Sequence, residues 1–318
     1  MVQVFITVDV EIWADGWNAI EQKFPKAFEQ YIYGHTSKGQ FGLPFKLQIL
    51  NDYGIKADFF IESLFASIFG TNPLQEIVGL VKTANQGLQL HLHPEWALKV
   101  PNSSIYVGEK KAEDLSVEDY RVLFEAALDN LRCVGVPAVR AFRAGSYHIT
   151  PNIMEVLAQI PITIDTSYNP CYLDRCSSIS PDLLLLQPQK IHGLDEYPVS
   201  VFKDFLGKLR PMQITACSSG EMTDCLLRAL DSGWQSVVIV SHNFELMDPS
   251  CMRPEWVNIK RFSHLCNFLD KHRNDFQAKG FDQVTQLELP STQQEMVSVD
   301  FTNTVTRLIE QGVKRVWN

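Results

Sequence analysis

The residues best equipped for chemistry lie in four short stretches. VDVE (8–11) places Asp9 and Glu11 two residues apart, and HLHP (91–94) does the same for His91 and His93. FRAGSY (142–147) carries Arg143 and Tyr147, and VIVSHN (238–243) carries His242. Two neutral imidazoles and a carboxylate suit a divalent metal such as Zn²⁺ with one position left open. Such a metal lowers the pKa of water toward about 7 and polarises a carbonyl oxygen. A second carboxylate can then serve as general base, and a histidine on the opposite side can protonate a leaving amine. Taken singly, each residue has a plainer role: the acids can cap a loop or pair with lysine, Arg143 can be a structural ion pair, and His242 a structural histidine. Their joint placement points to metal-assisted hydrolysis. A serine nucleophile is not supported, because AGSYH (144–148) lacks the second glycine of an elbow. No glycine-rich phosphate loop is present either.

These side chains converge only if the elements that carry them share one rim. Residues 2–10 are a near-continuous apolar run that ends in acid, which reads as a strand buried on both faces. Strands are also expected at residues 55–62, 88–93, 139–143, 162–167, 212–217 and 235–241, with short ones at 183–187, 195–202 and 281–289. Helices are expected between them. One starts at Ser116 with a capping-box-like SVED and carries Val117, Tyr120, Phe124, Ala127, Leu128 and Leu131 on one face. Another starts at the Thr150–Pro151 pair. Alternating strands and helices predict an α/β fold with a parallel sheet, open or closed into a barrel. In such folds ligands bind beyond the carboxyl ends of the strands, where all four stretches fall. Period two places Asp9 and Glu11 on one side of the first strand, and His91 and His93 on one side of the third.

Composition narrows the function class. The 318 residues carry 28 Lys and Arg against 37 Asp and Glu, a net charge of −9, which argues against a nucleic-acid partner. No stretch reaches the roughly 20 apolar residues of a membrane span. The N-terminus has no basic region and turns acidic too early for a signal peptide, so a cytoplasmic place is expected. Seven scattered cysteines without a C-x-x-C pair read as reduced thiols.

Two long connections carry little periodicity, residues 13–43 and 94–115. In the first, Phe24, Phe28 and Tyr31 stand at helical spacing and are expected to dock a short helix. Trp13 and Trp96 adjoin the acid and histidine pairs, which makes them candidate substrate contacts. Chemistry spread from Asp9 to His242 requires one domain over residues 1–290. Residues 291–318 form a helical extension packed on it, available for packing or a homo-oligomer contact.

In chain order, from Val2 to about Leu289, these stretches resemble the motifs of the polysaccharide deacetylase family, also called the NodB-homology or carbohydrate esterase 4 group. The resemblance implies a distorted (β/α)7 barrel. ITVDVE (6–11) resembles the first motif, which makes Asp9 the general base and Glu11 a metal ligand. HLHPEW (91–96) resembles the second, so His91 and His93 are metal ligands. FRAGSY resembles the third, in which Arg143 orients Asp9 and the residues that follow, Tyr147 among them, line the groove. VVIVSHNFEL (237–246) resembles the last, with His242 as general acid. IDTSYNP (164–170) and DEYPVS (195–200) resemble stretches of one bacterial subgroup, and Asp165 is a candidate substrate contact. The short His-x-His-Pro form resembles deacetylases of O-antigen and other surface-polysaccharide clusters. Three departures stand out: the histidines are two apart instead of four, Glu11 replaces an Asp, and Gly145 replaces a Pro. The implied function is a zinc-dependent deacetylase acting on an N-acetylated or N-formylated sugar. The alternatives are a small-amide hydrolase on the same fold and a non-catalytic carbohydrate-binding relic with a degenerate metal site.

Overall fold

The structure is a computed structural model that describes residues 1–176, 184–250, 252–285 and 295–317, with side chains described up to residues 174 and 312 in the first and last segments. The first apolar run forms β1 (Val2–Val10). A small hairpin, β2 (His35–Thr36) and β3 (Gly39–Gln40), decorates the connection that follows. Then come β4 (Asp58–Glu62), β5 (Gly87–Leu92), β6 (Ala141–Ala144) and β7 (Ile164–Asp165), each parallel to its predecessor in the main sheet, β4 lying beside β1. β8 (Gln189–Ile191) turns antiparallel into β9 (Leu194–Glu196), which runs parallel to β7. A second hairpin pairs β10 (Val201–Lys203) with β11 (Leu209–Pro211). β12 (Ser236–His242) covers one edge of β1, and β13 (Phe276–Ala278) pairs with its first residues.

The main sheet runs β12-β1-β4-β5-β6-β7-β9-β8 and curls into a half-barrel. Among the described residues no ladder joins β9 to β12; side chains and irregular backbone span the gap. Ser200 N donates to Val238 O at 3.1 Å, and Val238 N donates to Ser200 Oγ at 2.9 Å. The Gln187 side chain pairs with the backbone of Gln235 and Ser236 as a strand would.

Period two divides every central strand between two environments. Val4, Ile6 and Val8 of β1, Phe59 and Ile61 of β4, and Leu90 and Leu92 of β5 belong to the large core under the helices. Phe5, Phe60, Ala141, Ile164 and Val238 instead meet Tyr197, Phe281 and Val284 in a separate cluster inside the curl. Phe5 stacks on Phe281 with ring centroids 4.4 Å apart. Above this aromatic floor the inward positions turn polar, with Thr7 and Asp9 on β1, His91 on β5 and Arg143 on β6. Helices Leu43–Asp52, Asn72–Thr83, Val117–Cys133, Pro151–Leu157, Ser219–Asp231 and Trp256–Lys271 cover the outside. The expected capping box forms, Asp119 N donating to Ser116 Oγ and Ser116 N to Asp119 Oδ2. Thr150 caps the helix that begins at Pro151.

Four expected strands need correction. Residues 184–188 are irregular, because Gln187 completes the sheet edge with its side chain; Leu183 lies outside the described residues. The 195–202 stretch splits into the end of β9 and the start of β10. Residues 212–217 make one bridge, Gln213 to Val240, and then turn toward the helix capped by Ser218. Residues 281–283 are a 3-10 turn, which lets Phe281 and Val284, three apart, both enter the barrel; residues 286–289 lie outside the described residues. In the 13–43 connection Phe24 and Phe28 do dock a short helix, Ile20–Phe28, into the core.

No helix among the described residues is long and apolar enough to cross a membrane. The C-terminal helix Phe301–Trp317 is anchored by Arg307, whose guanidinium donates to Asp204 Oδ2 at 2.8 Å and to both oxygens of Glu221 at 3.0 Å. All three side chains are buried. Breaking a buried pair leaves its partner charge uncompensated, so Arg307→Ala is expected to cost about 3–5 kcal/mol, read as a lower denaturation midpoint at unchanged slope.

Candidate active site

The sheet register assembles the site. Asp9 lies beside His242 across β1 and β12, Glu62 beside His91 across β4 and β5, and His91 beside Arg143 across β5 and β6. Glu11 and His93 stand just beyond the ends of their strands, on the same inward side as Asp9 and His91. The result is a cavity of about 250 Å³ at the carboxyl rim, lined by Asp9, Glu11, His91, His93, His242 and Tyr147, with Trp13 at its edge.

Glu11 is the focus. Its Oε1 lies 2.9 Å from His91 Nε2 and 3.1 Å from His93 Nε2, and its Oε2 accepts from Trp13 Nε1 at 2.6 Å. The backbone of Glu11 is clamped by Asn243, which accepts from its N–H and donates to its carbonyl. Burial opposes ionisation of Glu11, but the two imidazoles hold its carboxyl well below the usual carboxylate range. Of the far ring nitrogens, His91 Nδ1 is hydrogen-bonded to Arg143 O at 2.8 Å, and His93 Nδ1 stands at ion-pair distance, 3.4 Å, from Glu95 Oε2. With a proton on each Nδ1, each Nε2 lone pair would be free to join Glu11 Oε1 on a cation bound between them. The donor atoms of these three side chains all lie within 4.8 Å of one another, close enough to share one ion. Glu11, His91 and His93 therefore fit a divalent metal, and Asp9, Glu11 and His242 form a second, overlapping group of donors.

The base and acid candidates flank this triad. Asp9 Oδ1 accepts from Arg143 Nη1 at 2.8 Å, while Oδ2 faces His242 Nε2 at 3.9 Å. Arg143 is fully buried, and its remaining donors reach Thr7 Oγ1 and both the carbonyl and hydroxyl oxygens of Thr166. His242 Nδ1 is 2.9 Å from Glu245 Oε1. Burial lowers the affinity of His242 for a proton, but Glu245, with Glu11 and Asp9, outweighs it and pushes the pKa up to about 9. Burial raises Glu245 in turn, and His242 overrides this to bring it down to about 2.

The sequence missed Glu245 and Glu62. Glu245 lies three residues beyond His242 in the turn that follows β12, a nearness that could have drawn attention to it. Glu62 accepts from Leu64 N at 2.7 Å and from His93 N, so it fixes the chain that presents His93; burial pushes it up to about 8. It ends an expected strand, so the strand-end rule applied to Asp9 would have found it too. Two expected substrate contacts are not at the cavity. Trp96 is 1% exposed, its ring packed among Trp17, Phe24, Phe65 and Phe69, because its short helix turns it into the core. Asp165 points away from the cavity and accepts from Ser167 Oγ at 2.7 Å, beside Glu196. Trp13 and Tyr147 do line the cavity.

Two of the sequence's departures are one steric fact. A Cβ on residue 145 would stand 2.5–2.6 Å from atoms of the His93 ring. With the second histidine two residues after the first, its ring occupies the space over residue 145, and only glycine leaves room. Gly145→Ala is expected to displace His93 and lower zinc affinity about 10–100-fold, the effect of a disturbed ligand support, in a competition titration against a chromophoric chelator.

No family model matches the sequence, and no curated protein matches it. Solved structures do. A candidate polysaccharide deacetylase from Mycobacterium smegmatis superimposes with a TM-score of 0.53 at 14% identity, over 92% of this chain and 94% of that one. A family 4 carbohydrate esterase from Streptomyces lividans, solved with acetate, gives 0.44 at 10% identity, over 94% and 98%. A carbohydrate esterase 4 pseudoenzyme from Bacillus anthracis gives 0.42 at 11%, over 86% and 62%. The first, with the sheet order and curl, shows that this chain has the NodB-type distorted barrel of the polysaccharide deacetylases.

Proposed function

We propose that the protein is a metal-dependent deacetylase that removes an N-acetyl or N-formyl group from a sugar in surface-polysaccharide biosynthesis. The observation that carries this reading is the convergence of His91 and His93 on one oxygen of Glu11, with Asp9–Arg143 and His242–Glu245 on either side. Zinc suits the donor set; when bound it would acidify water and polarise the amide carbonyl. Asp9 takes the proton of the attacking water on Oδ2, its other oxygen being held by Arg143. His242, kept protonated at neutral pH by Glu245, faces this carboxylate and donates from Nε2 to the leaving nitrogen. Water thus adds to the acyl carbon, the C–N bond breaks, and the products are a carboxylate and an amine. Trp13 and Tyr147 supply the faces against which a sugar and its acyl group rest.

A cytoplasmic place would make a nucleotide-linked or lipid-linked precursor the substrate. The cavity of about 250 Å³ also suits a small non-sugar amide, the second reading. The presence of all three donor side chains weighs against a non-catalytic relic.

The test is acetate release by the zinc-loaded protein from N-acetylated sugars, free and nucleotide-linked, with ammonia release from small amides in parallel. Asp9→Asn is expected to lower kcat about 10²–10⁴-fold, the contribution of a general base. Elemental analysis is expected to give one metal per chain, lost in Glu11→Gln. Full activity in Asp9→Asn would overturn the assigned base, and ammonia without acetate would favour the small-amide reading.

A further inference from the structure

The turn after β6 carries a hydroxyl, that of Tyr147, which stacking of its ring against a substrate does not use. Ser146 (φ 53°) and Tyr147 (φ 60°) are consecutive non-glycine residues in the left-handed region. Side chains there crowd the backbone, so such residues persist only where the surrounding structure enforces them, and they gather at functional sites. Here the strained turn carries the Tyr147 ring to the cavity that Asp9, Glu11, His91, His93 and His242 also line. The ring is held by stacking on Tyr172, centroids 5.4 Å apart and planes 16° from parallel. Its hydroxyl is buried, yet among the described residues it has no hydrogen-bond partner. A buried polar group without a partner is costly and rare in a native fold, and a ligand is one way to complete it.

We propose that the Tyr147 hydroxyl donates a hydrogen bond to the acyl oxygen of the substrate, as a catalytic residue of amide hydrolysis; this rests on the reading of the site as an amide hydrolase. Beside a bound metal, none of the other ionisable side chains lining the cavity is placed to donate a hydrogen bond to that oxygen. Asp9 and Glu11 are acceptors, the Nε2 atoms of His91 and His93 face Glu11, and His242 sits on the side of Asp9. A neutral donor is what an oxygen gaining negative charge requires, and it acts most strongly in a site that excludes water. Burial, reinforced by the charges of Asp9 and Glu245 against that of Arg143, raises the phenol pKa well above its ordinary value, so the proton stays on the hydroxyl. The hydroxyl breaks and forms no covalent bond: it donates to the carbonyl oxygen, more strongly as water adds, and recovers its free state when the carboxylate product leaves.

Tyr147→Phe keeps the ring and removes only the donor. In the zinc-loaded protein, with UDP-N-acetylglucosamine and N,N′-diacetylchitobiose as probes, it is expected to lower kcat about 10²–10³-fold with KM unchanged, the pattern of an interaction made in the transition state. Removal of a merely structural hydroxyl would instead lower the melting temperature, which is expected to stay level or rise, because no partner among the described residues is lost and an unpaired buried polar group is removed. A kcat within twofold of wild type overturns the role of Tyr147 and leaves the deacetylase reading intact. If the wild-type protein releases no acetate from either probe, the deacetylase reading loses its support, and binding decides on Tyr147. Calorimetric titration of acetate into the zinc-loaded protein would then show about tenfold weaker binding in Tyr147→Phe if the hydroxyl meets the acyl oxygens. Equal affinity would overturn the proposal.

Discussion

Arg143 is the point on which the site depends. A guanidinium is buried inside the barrel, over the face of Phe60 at 4.7 Å, where an unpaired charge could not be sustained. Its donors are taken by Thr7 and Asp9 on β1 and by Thr166 just beyond β7, and its own backbone carbonyl accepts from His91 Nδ1. One residue therefore sets the orientation of the candidate base and the tautomer of one candidate metal ligand. It does so from β6, beside β5 and separated from β1 by β4 and β5, so strand register and site geometry cannot vary independently.

Around this centre the charges are arranged in opposed pairs. Glu11 lies between two imidazoles, His242 rests on Glu245, and Glu62 steadies the backbone at His93. Lys46, on an outer helix, donates to Ser241 Oγ and His242 O and so supports the end of β12 from behind. Glu11, His91, Asp9 and His242 each have a partner that fixes their orientation before any substrate arrives, which is what electrostatic preorganisation requires.

Gly145 and His93 constrain each other. The His93 ring lies over the end of β6, and the backbone at residue 145 has no room there for a side chain. The turn that follows enters the left-handed region at Ser146 and Tyr147. Trp13 closes the other side, its indole bonded to Glu11 and its ring edge-on to His93 at 4.7 Å.

By itself the sequence determined the strands that matter and the ends at which chemistry sits. Alternation along VQVFITVDV and LQLHLH is a local property, and it was enough to place Asp9 with Glu11 and His91 with His93 on common faces. Helix caps at Ser116 and Thr150 were equally local. The short elements were not legible: residues 281–283 read as strand, yet what they fill is a barrel interior made by strands 40 to 280 residues away. Likewise, the aromatic and acidic residues Trp96 and Asp165 gave no sign that their side chains turn from the cavity, because that depends on packing against Phe24, Phe69 and Glu196 from other parts of the chain. Only the tertiary structure decided that Glu11 is shared by both histidines, that Glu62 and Glu245 support them, and that residue 145 has no room for a Cβ. Those facts are distances between strands, and no period along one strand contains them.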